Sequence, residues 1–354
     1  MLYRILVGSY TNEIYTVVFD SDASTLVLES TSTVGYHPSW ITPHPTDRSI
    51  VFAGLEQTEG KVVTIKYDEL GHGTLIGEVP SGGADPCTLL AAGTELLVGN
   101  YSSGTFATIP LSPEPPYLQA SDTTIAKFTA QGPNKDRQEA SHLHQVVLHP
   151  SRPQLLIPDL GGDVTRIFSR DVNGTWAASE HVVEYKAGGG PRHIAFHEDV
   201  LYTALELTNE VTAHRLPPPP AEPVLLATAS TLRTAAPVSA DPLMLVAEIL
   251  IPSTNASFPT PLLYVSNRND PSPAGDTIAI FDISSPHKLE LAAEVRTGLR
   301  HLRGMLFGGP DNKWLIAGGV HGPGIKMLER VDGGRGLKEL ASLELAAPTG
   351  FLWL

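Results

Sequence analysis

Basic residues are scarce in this chain. It has 24 Lys and Arg against 38 Asp and Glu, a formal net charge of −14. That balance argues against nucleic acid or an anionic membrane as the main partner, because phosphate binding needs a basic surface. A small anion stays possible, since a few arginines converging on one cleft override the global field locally. Cysteine is nearly absent: Cys87 stands alone, so no internal disulfide can form, which fits a reducing compartment. No stretch approaches the roughly 18 uninterrupted apolar residues of a membrane span. The opening MLYRILVGSY is interrupted by Arg4 and lacks a long apolar h-region, so no signal peptide is expected and a cytoplasmic location is. Also missing are long amphipathic helical patterns, a GxSxG elbow, an HExxH pair, a Walker loop and a dinucleotide fingerprint. No cofactor is expected.

What the chain has instead is turns and repeats. It carries 32 Gly and 30 Pro, with 42% apolar residues, a composition suited to many short strands joined by tight turns. Seven related hexapeptides recur: ILVGSY (5–10), VFAGLE (51–56), LLVGNY (96–101), LLIPDL (155–160), LYTALE (201–206), LYVSNR (263–268) and LIAGGV (315–320). Their last residues are spaced by 46, 45, 59, 46, 62 and 52. A recurrence near 40–50 residues marks a β-propeller, one four-stranded blade per unit. The prediction is all-β, a single seven-bladed propeller domain over 1–354, with surface excursions at about 112–140 and 217–243.

A second element precedes most hexapeptides: PSWITPHP (38–45), PCTLLAAG (86–93), HQVVLHPS (144–151), RHIAFHED (192–199), AEILIPST (247–254), RGMLFGGP (303–310) and TGFLWL (349–354). It reads as the innermost strand of a blade, with the hexapeptide as the second. The chain begins with a second strand and ends on an unpartnered inner strand. TGFLWL should therefore pair with ILVGSY, sharing one blade between the termini and removing free sheet edges.

In this architecture the first residues of inner strands and the last residues of second strands gather round one mouth. The first set is Pro38, Pro86, His144, Arg192, Ala247, Arg303 and Thr349; the second is Tyr10, Glu56, Tyr101, Leu160, Glu206, Arg268 and Val320. Together they bring His144, Arg192, Arg303, Arg268, Glu206 and Glu56 to one place, with Tyr10, Tyr101 and Trp40 as walls. Buried charges are costly unless paired or used. An ion-pair girdle closing the channel is the bland alternative. His142 and Asn267 are taken as further substrate contacts. His142 with His144 is also a candidate metal pair, and Glu206 with Asn100 and Asn267 a candidate calcium set, but the nearby arginines disfavour a cation and no metal is expected. His193 is expected to face away from Arg192 and pack between blades. Cys87 reads as a small buried residue, and Asp159 and Asp163 as turn residues around Gly161-Gly162.

The segments SHLHQVVLHP (141–150), PDLGGDVTRIF (158–168), GGGPRHIAFHE (188–198), ALELTNEV (204–211) and YVSNRND (264–270) resemble the lactonase family of seven-bladed propellers. That family includes bacterial propeller-type 6-phosphogluconolactonases and, more distantly, fungal 3-carboxy-cis,cis-muconate cyclases. The resemblance covers nearly the whole chain and implies an active site of His144, Arg192, Glu206 and Arg268. The chain departs from the family pattern at His301-Leu302-Arg303, where Pro-Arg is common, and at GGVHG (318–322). The resemblance implies hydrolysis of an anionic sugar lactone, with a His144/Glu206 acid–base pair and arginine clamps on the anion. Cyclisation of a carboxymuconate calls on the same groups, and a non-catalytic interaction scaffold is the reading from another class. The expected partner is a small anionic lactone or carboxylate.

Overall fold

The computed structural model describes residues 1–234 and 243–354. Its strands form seven four-stranded antiparallel sheets, the blades of a seven-bladed β-propeller. Blade 1 joins the two chain ends: the final strand Pro348–Trp353 pairs antiparallel with the first, Leu2–Ser9, through Ile5–Trp353, Leu6–Leu352 and Val7–Phe351. Blades 2 to 7 then follow in chain order, each running from an inner to an outer strand. Every hexapeptide lies on the second strand of its blade, as the repeat predicts.

What holds the ring together is burial between blades. Period-2 alternation sends apolar side chains to both faces of each sheet. Seven hydrophobic clusters result, one at each junction between neighbouring blades. The cluster joining blade 7 to blade 1 packs Phe351, Ile5 and Val7 against Ile316 and Met327. The ring is therefore closed by packing as well as by hydrogen bonds. At the third-last hexapeptide position, glycines such as Gly8 and Gly54 let the next blade's inner strand approach the second strand. A Cβ on Gly8 would stand 2.7 Å from Pro38 O, and one on Gly54 2.6 Å from Pro86 O.

Each inner strand is broken by a β-bulge at the same place, where two residues oppose one on the partner. Pairing shifts between Pro38 and Trp40, Pro86 and Thr88, Pro191 and His193, and Leu302 and Gly304. The extra residues are Ser39, Cys87, Arg192 and Arg303. His144 occupies the same place after the Leu143–Asp159 bridge, Ala247 after Val246–Asn267, and Thr349 after Pro348–Ser9. The sequence register thus holds in five blades and is one residue early in two: Ser39 and Cys87, not Pro38 and Pro86, are the equivalents of Arg192.

Blade 4 departs from expectation in another way. Of the strand expected at 144–151, only Val147–Leu148 is regular. The groups before it serve the neighbours instead. Val146 N–H donates to Thr88 Oγ1 of blade 3 (3.3 Å), and Gln145 Oε1 accepts Ile194 N–H of blade 5 (2.7 Å).

The two expected excursions are partly structural. Stretch 112–140 includes Thr124–Lys127, the outer strand of blade 3, and 217–243 includes Val224–Ser230, the outer strand of blade 5. The part of the second at 235–242 lies outside the described residues. Among the described residues no helix is long and apolar enough to cross a bilayer.

Candidate active site

Two cavities lie one behind the other at the centre of the ring. The outer, about 440 Å³, is lined by Tyr10, Glu56, Tyr101, Glu206 and Arg268, the last residues of five hexapeptides. The inner, about 230 Å³, is lined by six bulge residues: Ser39, Cys87, His144, Arg192, Arg303 and Thr349. Glu56, His144 and Arg303 border both. The bulges are what aim one side chain per blade at the axis.

Glu206 is fully buried at the centre of the charge cluster. Its Oε2 lies 2.9 Å from Arg192 Nε and 2.8 Å from Arg268 Nη2, while Oε1 accepts a hydrogen bond from Arg137 Nη2. The two contacts at Oε2 are off the line of a hydrogen bond, so they are ion pairs rather than directed bonds. Burial alone would raise the carboxyl, but Arg268, Arg192 and Arg137 overcome it and hold it at about 2. Glu206 is thus a fixed anion that braces guanidiniums. Burial, partly offset by Glu206, lowers the pKa of Arg268; burial and Arg303 lower that of Arg192. Arg192 Nη1 also donates to Ala247 O (2.6 Å), which fixes its direction. Arg303 lies 3.8 Å from Glu56 Oε1 and over the Tyr10 ring, 5.1 Å from its centroid. Burial pushes the Tyr10 phenol well up, so it acts as a neutral wall.

His144 stands where the cavities meet and is only 5% exposed. Tyr101 meets its ring edge-on at 5.5 Å and His193 at 5.1 Å. Its Nδ1 is buried without a hydrogen-bond partner. Burial, then Arg192, pushes its pKa well below the ordinary histidine value, so the imidazole is neutral at pH 7.

The structure therefore brings together His144, Arg192, Glu206, Arg268, Arg303, Glu56, Tyr10 and Tyr101. It does not bring Asn267 or His142 to the mouth. Asn267 is one residue before Arg268, so alternation turns it into the blade, where it bonds Thr231 Oγ1 (2.7 Å), Thr231 O and Thr277 Oγ1. Asn100 is likewise committed to Ser81 (2.7 Å). The calcium set of the sequence therefore does not converge. His142 stacks on Tyr101 (4.3 Å, 11°) and contacts Tyr101 O and Glu139, bracing a wall from behind. His193 spans the junction of blades 5 and 6, its Nδ1 2.7 Å from Glu248, but it does not face away from Arg192: its Nε2 lies 3.4 Å from Arg192 Nη1 and it lines the inner cavity. Trp40 lines that same cavity.

Five residues of the outer cavity escape the sequence reading: Asp85, Ser102, Leu245, Arg137 and His301. Arg137 comes from the stretch taken as a surface excursion and carries no repeat signal. His301, at the point where the chain departs from the family pattern, lines the cavity beside Arg268, its Nε2 3.4 Å from Arg268 Nη1. Asn269 Oδ1 accepts from its Nδ1 (2.7 Å), and burial with Arg268 pushes its pKa down to about 3. Four guanidiniums (Arg137, Arg192, Arg268, Arg303) meet four carboxylates (Glu56, Asp85, Glu206, Glu248) around the two cavities. A chain of strong negative charge is thus balanced at its centre.

Residues 4–353 match the family model described as "Lactonase, 7-bladed beta-propeller". A protein of Arthroderma benhamiae named "Probable 6-phosphogluconolactonase" is 28% identical over 98% of this chain and 88% of its own length. The 6-phosphogluconolactonase of Bacillus subtilis is 25% identical over 92% and 90%. The solved structure of a Pseudomonas aeruginosa periplasmic gluconolactonase superposes with a TM-score of 0.81, covering 100% of this chain and 99% of that one, at 21% identity, a likeness of fold.

Proposed function

Because this chain belongs to the lactonase family of seven-bladed β-propellers, we propose that its axial mouth hydrolyses an anionic sugar lactone of the 6-phosphogluconolactone kind. One observation carries the reading: a neutral, buried His144 borders an inner cavity of about 230 Å³ on one side and an arginine-rich outer one on the other. The relatives' names support the same substrate class.

In this mechanism the lactone ring lies against His144 with its carbonyl oxygen towards Arg192 or Arg268. Neutral His144 takes a proton from water as the water oxygen bonds to the carbonyl carbon. The tetrahedral oxyanion forms beside guanidiniums already fixed by Glu206 and Ala247 O, so little reorganisation is needed when charge develops. Collapse breaks the ring C–O bond, and the imidazolium returns its proton to the departing alkoxide. An imidazolium of depressed pKa is a strong donor for that step. Glu206, ionised throughout, is a poor proton donor; its work is to brace Arg192 and Arg268. Arg303, held by Glu56 and Tyr10, adds attraction for the substrate's charge. No step calls on a cofactor.

The test offers 6-phosphogluconolactone, unphosphorylated aldonolactones and carboxymuconate to the purified protein and to Arg192→Ala and His144→Ala. Lactone hydrolysis lost in both variants is the expected result. Turnover of carboxymuconate alone would make the protein a cyclase, and no turnover of any would make it a scaffold.

A further inference from the structure

Three of the four guanidiniums in the well are built into the ring: Arg192 and Arg303 sit at bulges, and Arg268 ends a second strand. Arg137 has another origin. It hangs from the irregular chain between Thr124–Lys127 of blade 3 and Val147–Leu148 of blade 4. Its neighbour Gln138 is fully buried and pins that crossing. Gln138 Nε2 donates to Leu160 O (2.9 Å) and Asp163 Oδ1 (2.8 Å), and its Oε1 accepts Asn134 N–H (3.2 Å). The backbone is therefore anchored while the Arg137 side chain reaches into the outer cavity.

We infer that Arg137 selects for a charged substituent, a phosphate ester in the first instance, on the end of the substrate remote from the reacting carbonyl. This rests on the lactonase reading above. Glu206 does not depend on Arg137 for its charge balance, because Arg192 and Arg268 already lie within 2.9 Å of its other oxygen. The well as a whole balances its guanidiniums with carboxylates, so a ligand's anion is taken by the guanidinium with most freedom to turn to it. Exposure says which. Arg137 is 33% exposed, while Arg192 and Arg268 are 2% and 5%. A guanidinium still in contact with water gives up least when it takes a new anion, and a planar fork suits phosphate oxygens bidentately. Depth agrees. Arg137 borders only the outer cavity, beside Tyr101 and Ser102, whereas His144 borders both. A lactone with its carbonyl at His144 therefore sends its far end outwards, to Arg137.

The experiment compares wild type, Arg137→Gln and Arg137→Lys with 6-phosphogluconolactone and with neutral gluconolactone. Alongside, calorimetry measures binding of the open acids, 6-phosphogluconate and gluconate, which differ only in the phosphate. Arg137→Gln should raise KM for the phosphorylated lactone about 10–100-fold, the range for a lost charge-assisted contact. Its preference for that lactone over the neutral one should fall at least about 10-fold, with Arg137→Lys intermediate. Equal losses on both lactones, or an unchanged preference, would overturn the inference and leave Arg137 as a brace for Glu206. If wild type opens neither lactone, the proposed reaction fails on its own account and calorimetry decides about Arg137. Selective loss of 6-phosphogluconate binding then supports the phosphate contact, and equal loss of both acids overturns it.

Discussion

Replacing Glu206 by Gln keeps the shape and removes the charge around which the site is organised. The carboxyl is held at about 2 against an ordinary 4.5. At about 1.4 kcal/mol per pK unit, its ionised form contributes on the order of 3 kcal/mol to folding at pH 7. A separate argument gives the same size: removing one partner of a buried ion pair costs about 3–5 kcal/mol, because the remaining charge stays buried. With an unfolding entropy of about 2.1 cal/mol/K per residue, a loss of ~3 kcal/mol lowers Tm by roughly 4 °C in a chain this long. The sign with pH follows from the depressed value. The contribution is complete above the unfolded carboxylate's pKa and is lost as pH falls from there towards 2. Thermal scans of wild type and E206Q should thus differ most near neutrality and converge on acidification from about pH 5 to pH 3. Added phosphate, which can replace the missing anion, should raise the E206Q midpoint more than that of wild type. If E206Q melts with wild type at pH 7 and merely loses kcat, Glu206 is a proton donor and the brace argument is wrong.

Three further outcomes can be checked. The acid limb of kcat/KM should lie below pH 6.5, because burial and Arg192 keep His144 neutral there; a pH–rate profile with its midpoint at or above 6.5 would remove His144 as the base. Arg268→Lys should lower kcat/KM at least about 10-fold in steady-state assays, since Arg268 uses Nη2 on Glu206 and presents Nη1 towards His301, and a point charge cannot do both. Deleting 348–354 removes the inner strand of blade 1 together with the buried Phe351. Loss of a buried Phe side chain alone typically costs about 3–5 kcal/mol, so the truncated chain should melt far below the full one; a midpoint within a degree of wild type would refute closure as the source of stability.

The architecture was legible because it repeats. Seven hexapeptides locate seven second strands, and their offset from the chain ends foretells the Leu2–Ser9 and Pro348–Trp353 pair. The upper ring of the site was legible for the same reason, since Tyr10, Glu56, Tyr101, Glu206 and Arg268 share one place in the repeat. The misses have physical causes. Alternation would have turned Asn267 away from the axis once Arg268 was taken to face it. A bulge breaks alternation, which is why Pro38 and Pro86 stood in for Ser39 and Cys87, why His142 and His144 point differently, and why His193 reaches the channel beside Arg192. Arg137 arises from irregular chain with no period to betray it. Only Gln138, an uncommon wholly buried amide, hints that its crossing is anchored, and burial is invisible in a sequence.

The bulges divide labour between scaffold and chemistry. Because an extra residue lies outside the strand's inside–outside alternation, its side chain answers to the axis and owes little to the junctions between sheets. The seven such places stand a seventh of a turn apart, like seats at a round table. His144, Arg192 and Arg303 occupy three of them, while Ser39, Cys87, Ala247 and Thr349 fill the rest with small groups. New catalytic machinery can thus be seated at chosen compass bearings on an unchanged frame.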